Sequence, residues 1–501
     1  MSAITVISSG SGVKPKASVL AKRGGLANNI GMTTLPSIGE IYYAAEWIIR
    51  LTMLAVVPLR RSPAAAASWL LLIFFLPIPG LILFLAIGSP RFPHWRAARF
   101  ERLKPHVADV AARMRQAAPA AAEGMARDIV ALADRLGRLP ATSGNAVELI
   151  DDYDAAIGRL VADIDGARRH VRLLAYIFAD DATAAKVIDA LGRAVDRGVA
   201  CHVLVDPVGS HRWIKGTLRA LEARGVQVRA VLPFRLWRER TRRDMRNHRK
   251  LFIVDGAIGY AGSQNIVARD FRPGVVNREL VARVTGPAVA AMSAIFVSDW
   301  YLETEELLDD AIAVPPRAGA STVQLLPSGA DYPLEGFQAL MTWQVAAARR
   351  EIVIVTPYLV PDEGLLGALK TAVLRGVAVH VVVSAVVDQW LVSLAQSSYY
   401  DELLSGGVRI HRYRDYLLHA KAVRIDDTLG IVGSSNVDIR SFRLNEEVSL
   451  LLLDHDAILA LRRIQDAYLA ASDEIALAAW RARSGARKLM ENGARLVSPL
   501  L

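Results

Sequence analysis

Two short stretches of this 501-residue chain carry the same side chains at the same spacing. Asn247-His248-Arg249-Lys250 is followed by Asp255 and then by Gly262-Ser263-Gln264-Asn265. Leu418-His419-Ala420-Lys421 is followed by Asp426 and then by Gly433-Ser434-Ser435-Asn436. His248 and His419 stand 171 positions apart, and so do Asn265 and Asn436. Such a set suits one phosphodiester. Lys250 and Lys421 supply cations and Asn265 and Asn436 supply N–H donors for the phosphoryl oxygens, with Ser263 and Ser434 as assisting hydroxyls. One neutral imidazole attacks phosphorus; the other, protonated, hands its proton to the departing alkoxide and later takes one from an incoming alcohol. Identical side chains must then hold opposite protonation states, which requires unlike surroundings. Asp255 and Asp426 complete each catalytic motif, and they read as braces of the strand ends rather than as chemical groups. The scheme calls for no metal and no other cofactor, because the lysines and the histidinium carry the positive charge.

The elements around these residues read as strands. Lys250-Leu251-Phe252-Ile253-Val254 and Ala422-Val423-Arg424-Ile425 are apolar and β-branched, so each His and its Lys, two apart, share a face. A second strand in each half ends at Gly262 or Gly433. Glu279 and Glu447 follow on a third strand, where each could accept a hydrogen bond from an imidazole and orient it. The repeat is wider than the motifs: Arg197-Gly198-Val199-Ala200 matches Arg375-Gly376-Val377-Ala378. Each half alternates strand (171–178; 351–356), helix (184–197; 362–375) and strand (200–206; 378–383), which predicts a layered α/β fold with a largely parallel sheet. Two pseudo-symmetric α/β/α sandwich halves about a pseudo-twofold axis would share one active site that neither forms alone. His202 and His380 match in the repeat but have no companion motif, and neither do His94, His106, His170, His211, His411 and His455; all read as ordinary hydrogen-bonded histidines.

The N-terminal part reads as a membrane anchor. Ala64 to Ile87 has no charged residue and exceeds the roughly 20 residues a spanning helix needs. Ile41 to Leu59 is also apolar apart from Glu46 and Arg50, which are four apart and could pair on one helix face; it reads as a second span, the alternative being an interfacial helix. A transmembrane helical hairpin over 38–90 is expected, after an N-terminal segment (1–37). A helical linker (91–140), a first catalytic domain (141–315) and a second (316–501) follow. Lys14, Lys16, Lys22, Arg23, Arg91, Arg96, Arg99, Arg102 and Lys104 flank the hairpin, against Arg60 and Arg61 between its helices, which puts both termini on the cytoplasmic side. The single Cys201 allows no internal disulfide and fits a reducing compartment. The net charge of +10 suits nucleic acid or anionic lipid; the anchor turns the expectation to anionic membrane lipid and away from nucleic acid. The segment from about Ala457 onward reads as helical, with Trp480, Arg481, Arg483, Arg487 and Lys488 as a basic amphipathic surface for a membrane.

The duplicated motif resembles that of the phospholipase D superfamily. From the hairpin onward the chain resembles the bacterial cardiolipin synthases within it, through Leu76-Pro77-Ile78-Pro79-Gly80, Tyr176-Ile177-Phe178, Asp206-Pro207-Val208-Gly209-Ser210, Thr356-Pro357-Tyr358, Arg440-Ser441-Phe442-Arg443-Leu444-Asn445 and the terminal Ser498-Pro499-Leu500-Leu501. The resemblance implies transfer of a phosphatidyl group from one phosphatidylglycerol to a second at the bacterial inner membrane. It also implies that the first-motif histidine, His248, is the nucleophile and His419 the acid and base. Glu446 and the stretch Val387-Asp388-Gln389-Trp390 depart from the family pattern. The alternatives are a hydrolase in which water replaces the lipid alcohol, a nuclease with the same motif pair, and a membrane-tethered scaffold with a relict site.

Overall fold

The computed structural model describes residues 37–61, 63–88, 92–120, 123–235, 241, 244–308, 311–332 and 335–497. The basic residues Lys14, Lys16, Lys22, Arg23 and Arg91, and the terminal Ser498–Leu501, lie outside them. Two compact units divide the chain, residues 1–81 and 82–501.

In the first unit, α1 (Ile38–Arg60) starts at a capping box in which Ser37 and Glu40 satisfy each other's end of the helix. Glu46 and Arg50 pair one turn apart at 3.1 Å, as their spacing predicts. The Arg50 guanidinium also donates to the Phe74 carbonyl at 3.1 Å, near the end of α2 (Pro63–Phe75), which packs antiparallel on α1. Among the described residues α1 is the one helix long and apolar enough to cross a bilayer. Ile41, Tyr43, Ile48, Leu51 and Phe75 on this pair are exposed, a surface suited to lipid. The expected single helix from Ala64 to Ile87 is not formed; α2 ends before Leu76 and α3 (Pro77–Ile87) begins anew. Proline disfavours the helical conformation of the residue before it, so Pro77 divides the segment.

The second unit opens with α4 (His94–Ala117) and α5 (Gly124–Gly137). They are helical as predicted, yet they are part of the folded layers rather than a linker. Arg96 and Arg99 of α4 are buried and pair with Glu303 at 2.7 Å and Glu305 at 2.5 Å. They are therefore not free flanking charges of a membrane segment.

The first half then runs β1 (Thr142–Ile150), α6 (Tyr153–Asp165), β2 (His170–Ala175), α7 (Ala182–Asp196), β3 (Ala200–Val205), α8 (Ile214–Ala223) and β4 (Gln227–Ala230). It closes with β5 (Leu251–Val254), β6 (Ile258–Gly262), β7 (Asn277–Arg278), β8 (Val281–Thr285) and α9 (Val289–Thr304). The second half repeats the plan with β9 (Ser321–Ser328), α10 (Gly336–Ala347), β10 (Glu351–Val355), β11 (Leu359–Val360), α11 (Glu363–Leu374), β12 (Ala378–Ser384), α12 (Trp390–Ser405) and β13 (Arg409–Tyr413). It continues with β14 (Leu417–Leu418), β15 (Ala422–Ile425), β16 (Leu429–Gly433), β17 (Val437–Asp438), α13 (Ile439–Arg443), β18 (Glu447–Leu452) and α14 (His455–Ala470). The chain ends in β19 (Ser472–Glu474), α15 (Leu477–Arg481) and α16 (Gly485–Val497). The C-terminal segment is thus not wholly helical, since β19 adds to the edge of β13.

Fifteen strands form one sheet in the order β19-β13-β12-β10-β15-β16-β18-β9-β1-β8-β6-β5-β2-β3-β4. The order is a palindrome of the repeat about the β9–β1 contact, with β8 answering β18, β5 answering β15 and β2 answering β10. The sheet is mixed and mostly antiparallel, not largely parallel as the alternation predicts. Only β2–β3, β3–β4, β10–β12 and β12–β13 are parallel within it. The reason is local: β5 to β6 and β15 to β16 turn through three residues, a link that can join only antiparallel strands. Alternate residues of each strand feed different cores. Leu173 and Val203 pack under α6 and α7, whereas Leu174, Leu204, Ile253, Val355 and Leu450 share one core with α9 and α14. That core belongs to both halves and fixes the two motif strands relative to each other.

Asp255 and Asp426 sit at the ends of the motif strands with φ of 53° and 50°. The Asp255 carboxylate accepts from the backbone N–H groups of Arg168, Arg169 and His170 at 2.7 to 3.0 Å. Asp426 accepts from Arg349, Arg350 and Glu351 at 2.8 to 2.9 Å. Each therefore splices the end of a motif strand to the start of its neighbour, and the structural reading of these aspartates replaces a catalytic one. Asp426→Ala leaves three backbone donors unpaired at a left-handed residue, so a loss of about 2–3 kcal/mol is expected by denaturant unfolding. Asp426→Asn, which keeps one acceptor, should lose less; equal stability of all three proteins would refute the bracing role.

Candidate active site

The two motifs meet in one cleft of about 360 Å³, lined among others by His248, His419, Asn265, Asn436, Tyr176 and Tyr358. Each motif histidine precedes its strand and is held by backbone of the opposite half. The His248 N–H donates to the Glu446 carbonyl and the Glu446 N–H to the Arg246 carbonyl, both at 2.8 Å. Symmetrically, β14 pairs in parallel with β7, and the His419 N–H donates to the Arg278 carbonyl at 2.8 Å.

This exchange carries the carboxylates across. His248 Nδ1 lies 3.0 Å from Glu447 Oε1, and His419 Nδ1 lies 2.7 Å from Glu279 Oε1. Each glutamate orients the histidine of the other half. With Nδ1 engaged, Nε2 is the ring nitrogen left for chemistry in the cleft. Both glutamates are fully buried. Burial alone would raise their carboxyls, but the adjoining imidazole and lysine hold both below the usual carboxylate range. Glu447 also accepts from Ser434 Oγ at 2.5 Å and from Ser441 Oγ at 2.9 Å.

Ser434 is thus turned to a carboxylate rather than to the cleft. Ser263 is turned to the Leu280 backbone, donating to its carbonyl at 3.2 Å and accepting from its N–H at 3.0 Å. Asn265 Oδ1 accepts from the Ile177 N–H at 3.0 Å, which leaves its amide donors for the cleft. Lys250 and Lys421 lie behind the histidines, each reaching its own histidine's carbonyl, at 2.6 and 2.7 Å.

Burial sets the protonation of the site. It pushes Lys250 down to about 7 and Lys421 down to about 8, against the pull of the two glutamates. It also lowers His248, and lowers His419 to about 4, again against the glutamate that each one faces. Both imidazoles are therefore neutral near pH 7, so the opposite protonation states that the two-step chemistry requires arise only when an anion enters beside one of them.

Several cleft residues have no counterpart among the sequence candidates. The Tyr176 ring meets His248 edge-on at 4.7 Å and Tyr358 meets His419 at 6.3 Å. Arg272, Arg440 and Asp388 also line the cleft. Tyr176 and Tyr358 follow corresponding strands β2 and β10, so the repeat could have paired them; nothing in the spacing marks Ser441. His202 is buried edge-on against Trp300 at 4.9 Å, and His380 bonds His411 at 3.0 Å. Trp480 is buried against Tyr400 and is not a surface residue.

The family described as "Cardiolipin synthase, PLD-like domain" matches residues 160–300 and 341–467, one match for each half of the site. The chain belongs to this cardiolipin synthase family. Cardiolipin synthase A of Serratia proteamaculans (strain 568) is 32% identical over 462 residues, covering 89% of this chain and 95% of that protein. Cardiolipin synthase A of Yersinia pestis bv. Antiqua (strain Angola) is 30% identical over 465 residues, with the same coverage. Phosphatidylserine synthase of Haemophilus influenzae Rd KW20 shares the fold, with a TM-score of 0.57 over 75% of this chain and all of that one, at 14% identity. Glu446 joins a buried ion network. Its Oε2 meets Arg249 at 2.5 Å, and Arg249 meets Asp299 at 2.6 Å.

The low value of His419 has a measurable sign. Between about pH 4 and the ordinary 6.5 the unfolded chain binds a proton that the folded site refuses. This contribution is at its full value above 6.5 and is lost as pH falls toward 4. Unfolding free energy should therefore rise with pH more steeply across pH 4–6.5 in the native protein than in His419→Gln. Parallel curves would show that His419 is not held neutral.

Proposed function

We propose that this protein makes cardiolipin, moving a phosphatidyl group from one phosphatidylglycerol to another through a phosphohistidine. The observation that carries the reading is the pair of crossed His–Glu contacts opening on one cleft in a chain of this family. His248, oriented by Glu447, attacks phosphorus with Nε2; the N–P bond forms as the P–O bond to glycerol breaks. The phosphodiester anion, drawn in beside two lysines, raises the pKa of His419, as any nearby negative charge does. His419, oriented by Glu279, then gives its proton to the glycerol alkoxide. In the second step His419 takes the proton from a hydroxyl of the second phosphatidylglycerol, whose oxygen displaces His248 from phosphorus. Lys250, Lys421, Asn265 and Asn436 stabilise the phosphoryl oxygens, and Ser434 and Ser441 hold Glu447 ionised.

The membrane supplies both substrates. We read α1 as a span, with the apolar α2–α3 segment returning the chain so that both termini and the catalytic unit face the cytoplasm of a bacterial inner membrane. On this reading, 141–315 and 316–501 are the two catalytic domains. Phosphatidylglycerol and anionic lipids are the partners, not nucleic acid.

The test uses the full chain in vesicles with phosphatidylglycerol labelled in its headgroup glycerol. Cardiolipin and free labelled glycerol are expected in equal amounts. Phosphatidic acid without cardiolipin would make the protein a hydrolase. His248→Ala and His419→Ala should each lower transfer by at least about a thousandfold. Acid-quench trapping should place the lipid phosphate on His248. Appreciable transfer by either variant would sink the two-histidine mechanism.

A further inference from the structure

The start of α12 and the loop before it present three large apolar side chains to the outside. Asp388, Gln389 and Val392 line the cleft, while Val387, Trp390 and Leu391 beside them are 47%, 66% and 38% exposed. The Asp388 carboxylate is buried at the pocket, and the large apolar groups beside it face outward.

The loop is held firmly. Asp388 pairs with Arg272 of the other half across the cleft and accepts from the Tyr358 hydroxyl at 2.7 Å. Gln389 Nε2 donates to the same hydroxyl at 2.8 Å. Tyr358 in turn meets the His419 ring. The outward Trp390 is thereby fixed relative to the site chemistry and does not need ordering on contact.

The apolar surface continues on both sides. Tyr416, 40% exposed, precedes the cleft residue Leu417, and its carbonyl accepts from Ser384 Oγ at 3.0 Å, which joins it to the same loop. One turn beyond Leu391, Leu394 and Ala395 pack against Ala494 of α16, whose Leu489, Met490 and Leu496 are exposed. Basic groups rim this surface: the exposed Arg412 reaches the Ala385 carbonyl at 3.4 Å, and Arg487 and Lys488 lie on α16.

From this arrangement we propose that the rim Val387–Leu391, with Tyr416 and α16, is a docking surface for an anionic phospholipid bilayer that seats the cleft mouth on the lipid headgroups. An exposed Trp beside apolar and basic side chains is the composition that settles at a bilayer interface. The surface opens on a cleft whose substrate, on the reading above, is itself a lipid; the inference rests on that reading.

Cys201 is buried and is the one cysteine, with its thiol pushed up to about 12 by burial, so a single introduced cysteine can be labelled. The full chain, as Trp390→Cys or as Leu374→Cys (86% exposed at the end of α11), is tagged with an environment-sensitive fluorophore. It is then reconstituted in vesicles of phosphatidylglycerol and acyl-brominated phosphatidylcholine. Strong quenching at 390 and little at 374 is expected; no quenching at 390, or equal quenching at both, overturns the proposal. In parallel, Trp390→Ser/Leu391→Ser should lower transfer about tenfold or more on bilayer phosphatidylglycerol. On a short-chain phosphatidylglycerol below its micelle concentration it should stay within about twofold of the native protein. An equal effect on both substrates, or none on either, also overturns it. If the native protein transferred nothing from either substrate, the functional reading would fail while quenching still judged the rim.

Discussion

The architecture turns on a reciprocal loan of two glutamates. Each half makes a histidine it cannot orient and a carboxylate it does not use. The parallel backbone contacts beside them, 246–248 with 446 and 417–419 with 276–278, make the loan geometric as well as electrostatic. A half on its own would expose unpaired backbone groups and leave a buried carboxylate without its imidazole, both of them costly. The continuous sheet and the core common to α9 and α14 exist to hold this crossing to within hydrogen-bond tolerance.

That crossing is also why the site can bury so many ionisable groups. Lys250, Lys421, Glu279 and Glu447 are removed from water together, and each has an opposite charge or a hydrogen bond in reach. Burial still depresses both lysines and both histidines, so an anion that enters the cleft raises their proton affinity. Stability is thereby given up for a field aimed at one place, as functional sites commonly do. The Arg249–Asp299–Glu446 cluster extends the same logic one layer back: burial raises the Glu446 carboxyl although Arg249 opposes it, in direct backbone contact with His248.

Much of this was legible in the residues. The 171-residue offset, the motif strands and the glycines that end their partners all fall where the pattern puts them, because hydrophobic alternation and turn chemistry act locally. The strand directions were not legible: βα alternation at the start of each half conceals antiparallel hairpins later in it. The destination of Glu279 and Glu447 was likewise hidden, since a sequence repeat says that two units match and not that they trade parts. Ser263 and Ser434 look like phosphate donors by type, but position on the strand turns them to backbone and carboxylate. Pro77 is visible as a residue, but the uncharged run around it hides that the helix is interrupted there. Tyr176 and Tyr358 follow corresponding strands, but nothing in their spacing says that their rings meet the motif histidines.

The three-residue turns β5–β6 and β15–β16 contrast with the long reach of the crossed segments, which join positions about as far apart as the repeat itself. Nothing in such a contact records which molecule supplied the matching half. Two newly made chains could therefore close the same crossing between them, first half of one with second half of the other, in a domain-swapped pair. The polypeptide that joins α9 to β9 is what makes the intramolecular choice win, by keeping the proper partner at high effective concentration. Its length is thus under a constraint of assembly that has nothing to do with the reaction.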